Sequence, residues 1–128
     1  MVGFSRDTVF DTVVKNTTVT GKKGEEAVCE YLERLGHTVL FRNFKTKLYE
    51  IDIVSVFQDK IYFTEVKTRS MEDYGDGLEA IDGKKKEQMK FAAESFLGYN
   101  GEFSLYSPNL AVADVDGEYN VKEWFPLV

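Results

Sequence analysis

The chain has 128 residues, 43% of them hydrophobic and 30% charged, with a formal net charge of −6. That length and balance describe one compact soluble domain and exclude a disordered chain, while the acidic total argues against a general nucleic-acid-coating protein. No apolar run reaches the length of a membrane span, and the lone Cys29 cannot build an internal disulfide or a cysteine metal cluster, so a reducing, cytoplasmic setting is expected.

Residues 1–19 form an extension in which Val9, Phe10, Val13 and Val14 recur at helical spacing, so a short helix is expected there. The segment "KNTTVTGKKG" interrupts it, and Thr20 is a candidate cap for the next helix. Residues 22–35 give the clearest helix, with Val28, Leu32 and Leu35 on one side and Glu26, Glu30 and Glu33 on the other. Gly36 is its natural stop. "TVLFRNF" reads as a strand leading into a basic stretch with Arg42, Lys45 and Lys47.

"EIDIVSVFQDKIYFTEVK", residues 50–67, then reads as two strands around a short polar turn. An acidic loop comes next, and a second helix is expected from about Asp82, its candidate N-cap, to Leu97, burying Met89, Ala92, Ala93, Phe96 and Leu97. "LAVADV" and "EYNVKEWF" are strands separated by a hairpin signal at Asp116-Gly117. Helix, three strands, helix, two strands make an α/β (α+β) domain with helices packed on a central sheet, and the whole of 1–128 is expected to be one domain.

Charge is unevenly spread. Residues 40–70 hold six Lys or Arg against four acids, whereas 71–82 hold five acids and no base. The positive charge thus lies beside the hairpin, which itself carries Glu50, Asp52, Glu65 and Lys67 in its apolar pattern. With Gln58-Asp59 as the turn, Phe57 faces Lys60, Asp52 faces Glu65 and Glu50 faces Lys67; a turn at Asp59-Lys60 shifts the partners but keeps the same face. All four then share one face, with Ile51, Ile53, Tyr62 and Val66 on the other. Opposed carboxylates repel, and a divalent metal between them would compensate, with Lys67 placed to steady charge developing on a phosphate. A solvent-facing strand carrying a Glu50–Lys67 ion pair explains the same spacing without chemistry. Glu25, three before Val28 and seven before Leu32, falls on the apolar side of the first helix. It is either a dipole partner of the first turn or a third acid aimed at the sheet.

"GKKGEEAVCEYLERLGHTVLFRNFKTKLYEIDIVSVFQDKIYFTEVKTR" resembles the core of the PD-(D/E)XK nuclease superfamily, and within it the YraN-like group, whose relatives include Holliday-junction resolvases. The matching motifs are Gly21, Gly24 and Glu25 at the helix start, Arg42-Asn43, Glu50 to Asp52, and Glu65 to Arg69, within a similarity running from residue 20 to about 97. The resemblance implies a restriction-endonuclease-like core with a mixed sheet of about five strands. It implies Mg²⁺ or Mn²⁺ held by Asp52 and Glu65, with the Val66 carbonyl and Glu25 contributing, Lys67 as catalytic lysine and Glu50 in support. It also implies DNA as substrate, branched or nicked forms included, and a homodimer. Two positions depart from the group's pattern: Tyr49 stands where Gly precedes the Glu, and Leu110-Ala111 where a Phe-Asp pair is usual.

Arg42, Lys45, Lys47 and Arg69 are candidate phosphate contacts, with ordinary solubility charges as the competing explanation, and the resemblance implies Lys85 as a further one. His37 is expected to be a loop or strand-start residue, Cys29 a packing residue, and Tyr62, Phe63 and Trp124 core aromatics. The leading expectation is a metal-dependent phosphodiesterase cutting DNA. Its rivals are a silent nuclease-like scaffold that binds nucleic acid or protein, and a plain interaction domain.

Overall fold

The computed structural model describes residues 19–69 and 83–127. The helix expected within 1–19 and the Asp82 cap with its acidic loop lie outside those residues. Helix α1 (Val19–Arg34) leads to strands β1 (Thr38–Lys45), β2 (Glu50–Phe57) and β3 (Lys60–Thr68). Helix α2 (Gly83–Tyr99), a short 3₁₀ turn at Gly101–Phe103, and strands β4 (Ser107–Val115) and β5 (Val121–Pro126) complete the order. This is the expected sequence of elements, forming one five-stranded sheet in the order β1-β2-β3-β4-β5.

Gly36 ends α1 as expected. It takes φ of 101°, donates to the Glu33 carbonyl at 3.0 Å, and lets the His37 N–H reach the Leu32 carbonyl at 2.9 Å. That pair of bonds is a Schellman closure, which favours a residue without Cβ. Leu35, expected on the buried side, is 49% exposed because the chain has already left the helix there.

The β2–β3 hairpin has the expected register, with Phe57 opposite Lys60 across Gln58-Asp59 and Ile53 opposite Thr64. Gln58 takes φ of 56°, the left-handed conformation such tight turns demand. β3 and β4 run parallel, so the chain must cross the sheet between them, and α2 is the described part of that crossover. The β4–β5 connection differs from the expected two-residue turn. It runs through 116–120, with the Asp116 carboxylate accepting the N–H groups of Glu118 and Asn120, both at 2.9 Å, and Tyr119 at φ 63°. The Asx chemistry of Asp116 has replaced the Asp-Gly turn.

The two helices cover opposite faces. On the α2 side, Met89, Ala92, Ala93 and Phe96 pack on Phe41, Val54, Ile61 and Phe63. The Phe96 ring meets those of Phe41, Phe44 and Phe63 at 5.3, 5.2 and 5.6 Å. On the α1 side, Val28, Cys29 and Leu32 pack on Ile53, Ala113 and Val115.

One irregularity in β1 and β2 shapes the acidic cluster. Strict alternation would separate residues three apart, yet Phe41 and Phe44 both enter the α2-side core, as do Ile51 and Val54 facing them. Between these pairs lie Asn43, at φ 57°, and Asp52. The pleat therefore breaks at Asn43 and Asp52. Ile51 and Ile53, expected on one face, go to opposite cores as a result.

Candidate active site

The β2–β3 ladder is paired from Phe57–Lys60 to Ile53–Thr64. At the next step the Asp52 side chain takes over: its Oδ2 accepts the Val66 N–H at 2.8 Å. Side chain has replaced backbone as the acceptor, which pins the Asp52 carboxylate beside β3. Asp52 is 9% exposed and Glu65, its expected cross-strand partner, 6%. Burial and then the charge of Glu65 push the Asp52 carboxyl well above the usual carboxylate range, against the lowering effect of the Val66 N–H.

Glu65 is the hub of the cations. Its Oε2 lies 3.0 Å from Lys85 Nζ and 3.6 Å from Lys67 Nζ. Lys67 arrives from the same strand, two residues on, so strand periodicity puts both on one side. Lys85 arrives from the first turn of α2. The resemblance implied Lys85 as a phosphate contact; the fold brings its amine onto the Glu65 carboxylate.

Glu25 lies on the buried side of α1 as expected, 5% exposed, while its neighbour Glu26 faces solvent. Burial raises its pKa first of all; the charges of Glu50 and Glu65 raise it further, and a hydrogen bond with the Asn43 side chain and the nearby Arg42 lower it. Its Oε1 is buried and has no hydrogen-bond partner. α1 comes this close to β3 because residue 24 is glycine: a Cβ there would overlap the Thr68 hydroxyl. Asn43 was visible in sequence only as half of an "RN" pair. Its left-handed backbone breaks the pleat and its side chain holds Glu25, two roles that no spacing argument reveals.

Glu50, at the exposed start of β2, pairs with Lys45 across β1–β2 rather than with Lys67 as expected, because the β2–β3 ladder does not extend that far. Glu50 still contributes charge, being among the groups that raise both Asp52 and Glu25. Val66 meets Asp52 through its N–H, and its side chain packs against the α1-side core.

The expected basic track divides. Arg42 reaches Glu26 at 3.7 Å, and Lys47 is exposed. Arg69 is engaged within the sheet. Its Nε and Nη2 donate to Asp114 Oδ1 and Oδ2 at 3.0 and 2.7 Å, a bidentate clamp between the end of β3 and β4. Asp114 carries no mark in the sequence, since nothing local to "LAVADV" signals a partner 45 residues earlier.

His37 has a structural setting, as expected. It is buried, its Nδ1 lies 2.9 Å from Ser55 Oγ, and its ring stacks on Phe57 at 5.1 Å with Tyr62 and Trp124 around it. Burial lowers its pKa, which keeps it neutral. Cys29 is a free, buried thiol whose pKa burial pushes up to about 11, a packing residue rather than a nucleophile.

The donor set decides which metal could fit. Two buried carboxylates that repel each other, with a third acid carrying an orphaned buried oxygen, suit a hard cation that keeps several waters. Among the described residues no three His, Cys, Asp or Glu side chains are arranged to hold an ion, so the set is not a closed all-protein cage. A closed zinc-type cage does not fit that set.

No described helix is long and apolar enough to cross a membrane. Three relatives are aligned over most of their length. A UPF0102 protein of Caldanaerobacter subterraneus is 32% identical over 100 residues, 78% of this chain and 81% of its own. One from Pelotomaculum thermopropionicum is 39% identical over 108 residues, covering 82% and 90%. One from Desulforamulus reducens is 34% identical over 104 residues, covering 80% and 83%. The model of "Uncharacterised protein family UPF0102" matches residues 24–116, a span that begins at the glycine admitting α1 to β3 and contains Glu25, Asp52, Glu65, Lys67 and Lys85. The chain belongs to the UPF0102 family.

Proposed function

We propose that this protein is a Mg²⁺- or Mn²⁺-dependent phosphodiesterase of PD-(D/E)XK type that cuts DNA endonucleolytically. The observation that carries this reading is the Asp52–Glu65 pair: two buried acids, with burial and then the charge of Glu65 raising Asp52, and two lysine amines converging on Glu65. A fold that retains such repulsion gains from a cation there.

Bound Mg²⁺ or Mn²⁺ would supply Lewis-acid charge to the phosphate and acidify the attacking water. Asp52 and Glu65 would hold the cation, with Glu25 assisting. The Val66 N–H fixes Asp52 in place beforehand, so no reorganisation is needed as substrate arrives. Water attacks phosphorus, forming one P–O bond and releasing a proton to solvent. The P–O ester bond to the leaving oxygen breaks as it does so, and that oxygen takes up a proton from solvent. Lys67, beside Glu65, steadies the charge that develops on the phosphate oxygens, and Lys85 is the second amine within reach. Arg42, Lys45 and Lys47 guide the backbone from the β1 side.

The second reading is a nuclease-like scaffold that binds nucleic acid or protein without cutting. The Lys85–Glu65 contact at 3.0 Å favours it, since that amine already neutralises one of the two acids. A cleavage panel separates the readings. Supercoiled, nicked, single-stranded and branched DNA are incubated with Mg²⁺ or Mn²⁺ and wild type, Asp52→Ala or Lys67→Ala. Metal-dependent cutting of at least one substrate, abolished by Asp52→Ala and reduced by about a hundredfold or more by Lys67→Ala, is the expected result. Wild-type binding without cutting of any substrate supports the scaffold, and undiminished cutting by Asp52→Ala removes the site assignment.

A further inference from the structure

A groove opens between the β1–β2 turn and the outer face of α2. Its volume is about 520 Å³, within the roughly 300–1,000 Å³ range of small-ligand sites. The Tyr49 and Phe91 rings form its floor, edge to face at 5.3 Å and 72°. Phe91 is 50% exposed, which leaves an aromatic face open to solvent on a helix whose opposite side fills the core. Lys84 and Lys90 stand on the rim, with Glu87 and Glu94 among them.

We propose that this groove is a binding site for one unpaired nucleotide of a single-stranded or branched DNA, its base stacking on Phe91 with Tyr49 bracing that ring, and its flanking phosphates paired with Lys84 and Lys90. The proposal rests on the nucleic-acid reading of the neighbouring site and narrows its substrate class. Three features argue for it. Tyr49 directly precedes Glu50, and Lys84 directly precedes Lys85, whose amine contacts Glu65, so the groove is built from the same two segments that carry site residues. The mixed rim of two lysines and two glutamates is too poor in positive charge to track a duplex backbone, and suits a flat uncharged ring with a phosphate on either side. Tyr49 is also held in advance: Thr46 Oγ1 accepts the N–H groups of Leu48 and Tyr49 at 3.2 and 2.9 Å and donates to the Tyr49 carbonyl at 3.0 Å. A turn whose backbone is closed in advance loses little freedom when a ligand settles beside it.

Fluorescence anisotropy of a short labelled oligothymidine in EDTA reads the groove apart from any cleavage. Phe91→Ala is expected to weaken binding about tenfold, the effect of losing one base–aromatic stack. Phe91→Trp is expected to retain binding, and a duplex of equal length to be little affected by either change. Because Phe91 is half exposed, both variants are expected to fold, which circular dichroism checks. Equal oligothymidine affinity for wild type and Phe91→Ala overturns the proposal, as does an equal loss on duplex. Asp52→Asn keeps Phe91 and Tyr49 in place, so its failure to lose cleavage would overturn the catalytic assignment alone. A Phe91-dependent loss of oligothymidine binding supports the groove in either case.

Discussion

The Val66 N–H donates to Asp52 Oδ2 at 2.8 Å, immediately beyond Ile53–Thr64, the last pair of the β2–β3 ladder. A carboxylate thus stands where a backbone carbonyl would continue the sheet, and it stands there buried, next to Glu65. Stability has been given up at this point for charge.

Asp52→Asn should therefore make the protein more stable at neutral pH. Asn keeps an oxygen for the Val66 N–H and removes the repulsion. The folded protein holds the Asp52 proton more tightly than the unfolded chain, whose carboxyl titrates near 3.8. The stabilising contribution of the protonated group is complete below that pH and is lost as pH rises through the raised folded pKa. At pH 7.5 the gain from Asn is expected to be about 1–2 kcal/mol, or roughly 3–8 °C in melting temperature. The difference should shrink toward zero as the pH is lowered to about 4. Paired thermal melts across that range provide the check; a gain independent of pH would trace to something other than the ionised carboxylate.

Arg69→Ala should unfold the protein more easily without altering how it meets DNA. The change leaves Asp114, 8% exposed at its side chain, as an uncompensated buried charge, at a cost of about 3 kcal/mol. Urea denaturation measures that loss. The salt dependence of DNA binding should keep its slope, whereas a drop of about one in that slope would make Arg69 a phosphate contact.

Gly24→Ala places a methyl against the Thr68 hydroxyl. Alanine gains about 1 kcal/mol of helix propensity, and the forced shift of α1 from β3 costs about 1–3 kcal/mol. In a Thr68→Ala background the same substitution should be better tolerated. A double-mutant cycle with a coupling of about 1 kcal/mol or more is expected, and additivity would show that Gly24 is not what sets the α1–β3 distance.

Much of the fold was readable from sequence. The element order, the hairpin register, the buried side of α2 and the inward turn of Glu25 all come from periodicity and turn chemistry, because those signals are local. The break in alternation at Asn43 and Asp52 was not readable. It depends on a positive φ in β1 that sends Ile51 and Ile53 to different cores, and only the packed sheet reveals it. Arg69–Asp114 and Lys85–Glu65 were missed for the same reason, since each joins elements distant in the chain.

Cys29 should resist alkylation in the native protein. A thiol held at about 11, against an ordinary 9.0, presents a far smaller thiolate fraction, and burial blocks approach. Labelling at pH 8 is expected to run about a hundredfold or more slower than in denaturant. Comparable rates would show that α1 opens readily from the sheet.

The central claim is that Asp52 and Glu65 are held together for a divalent cation. Calorimetric titration of Mn²⁺ into wild type and Asp52→Asn at pH 7.5 tests it most directly. The expected result is a single saturable binding event in wild type that Asp52→Asn abolishes while remaining folded. No saturable binding in wild type, or identical binding in the two proteins, would contradict it.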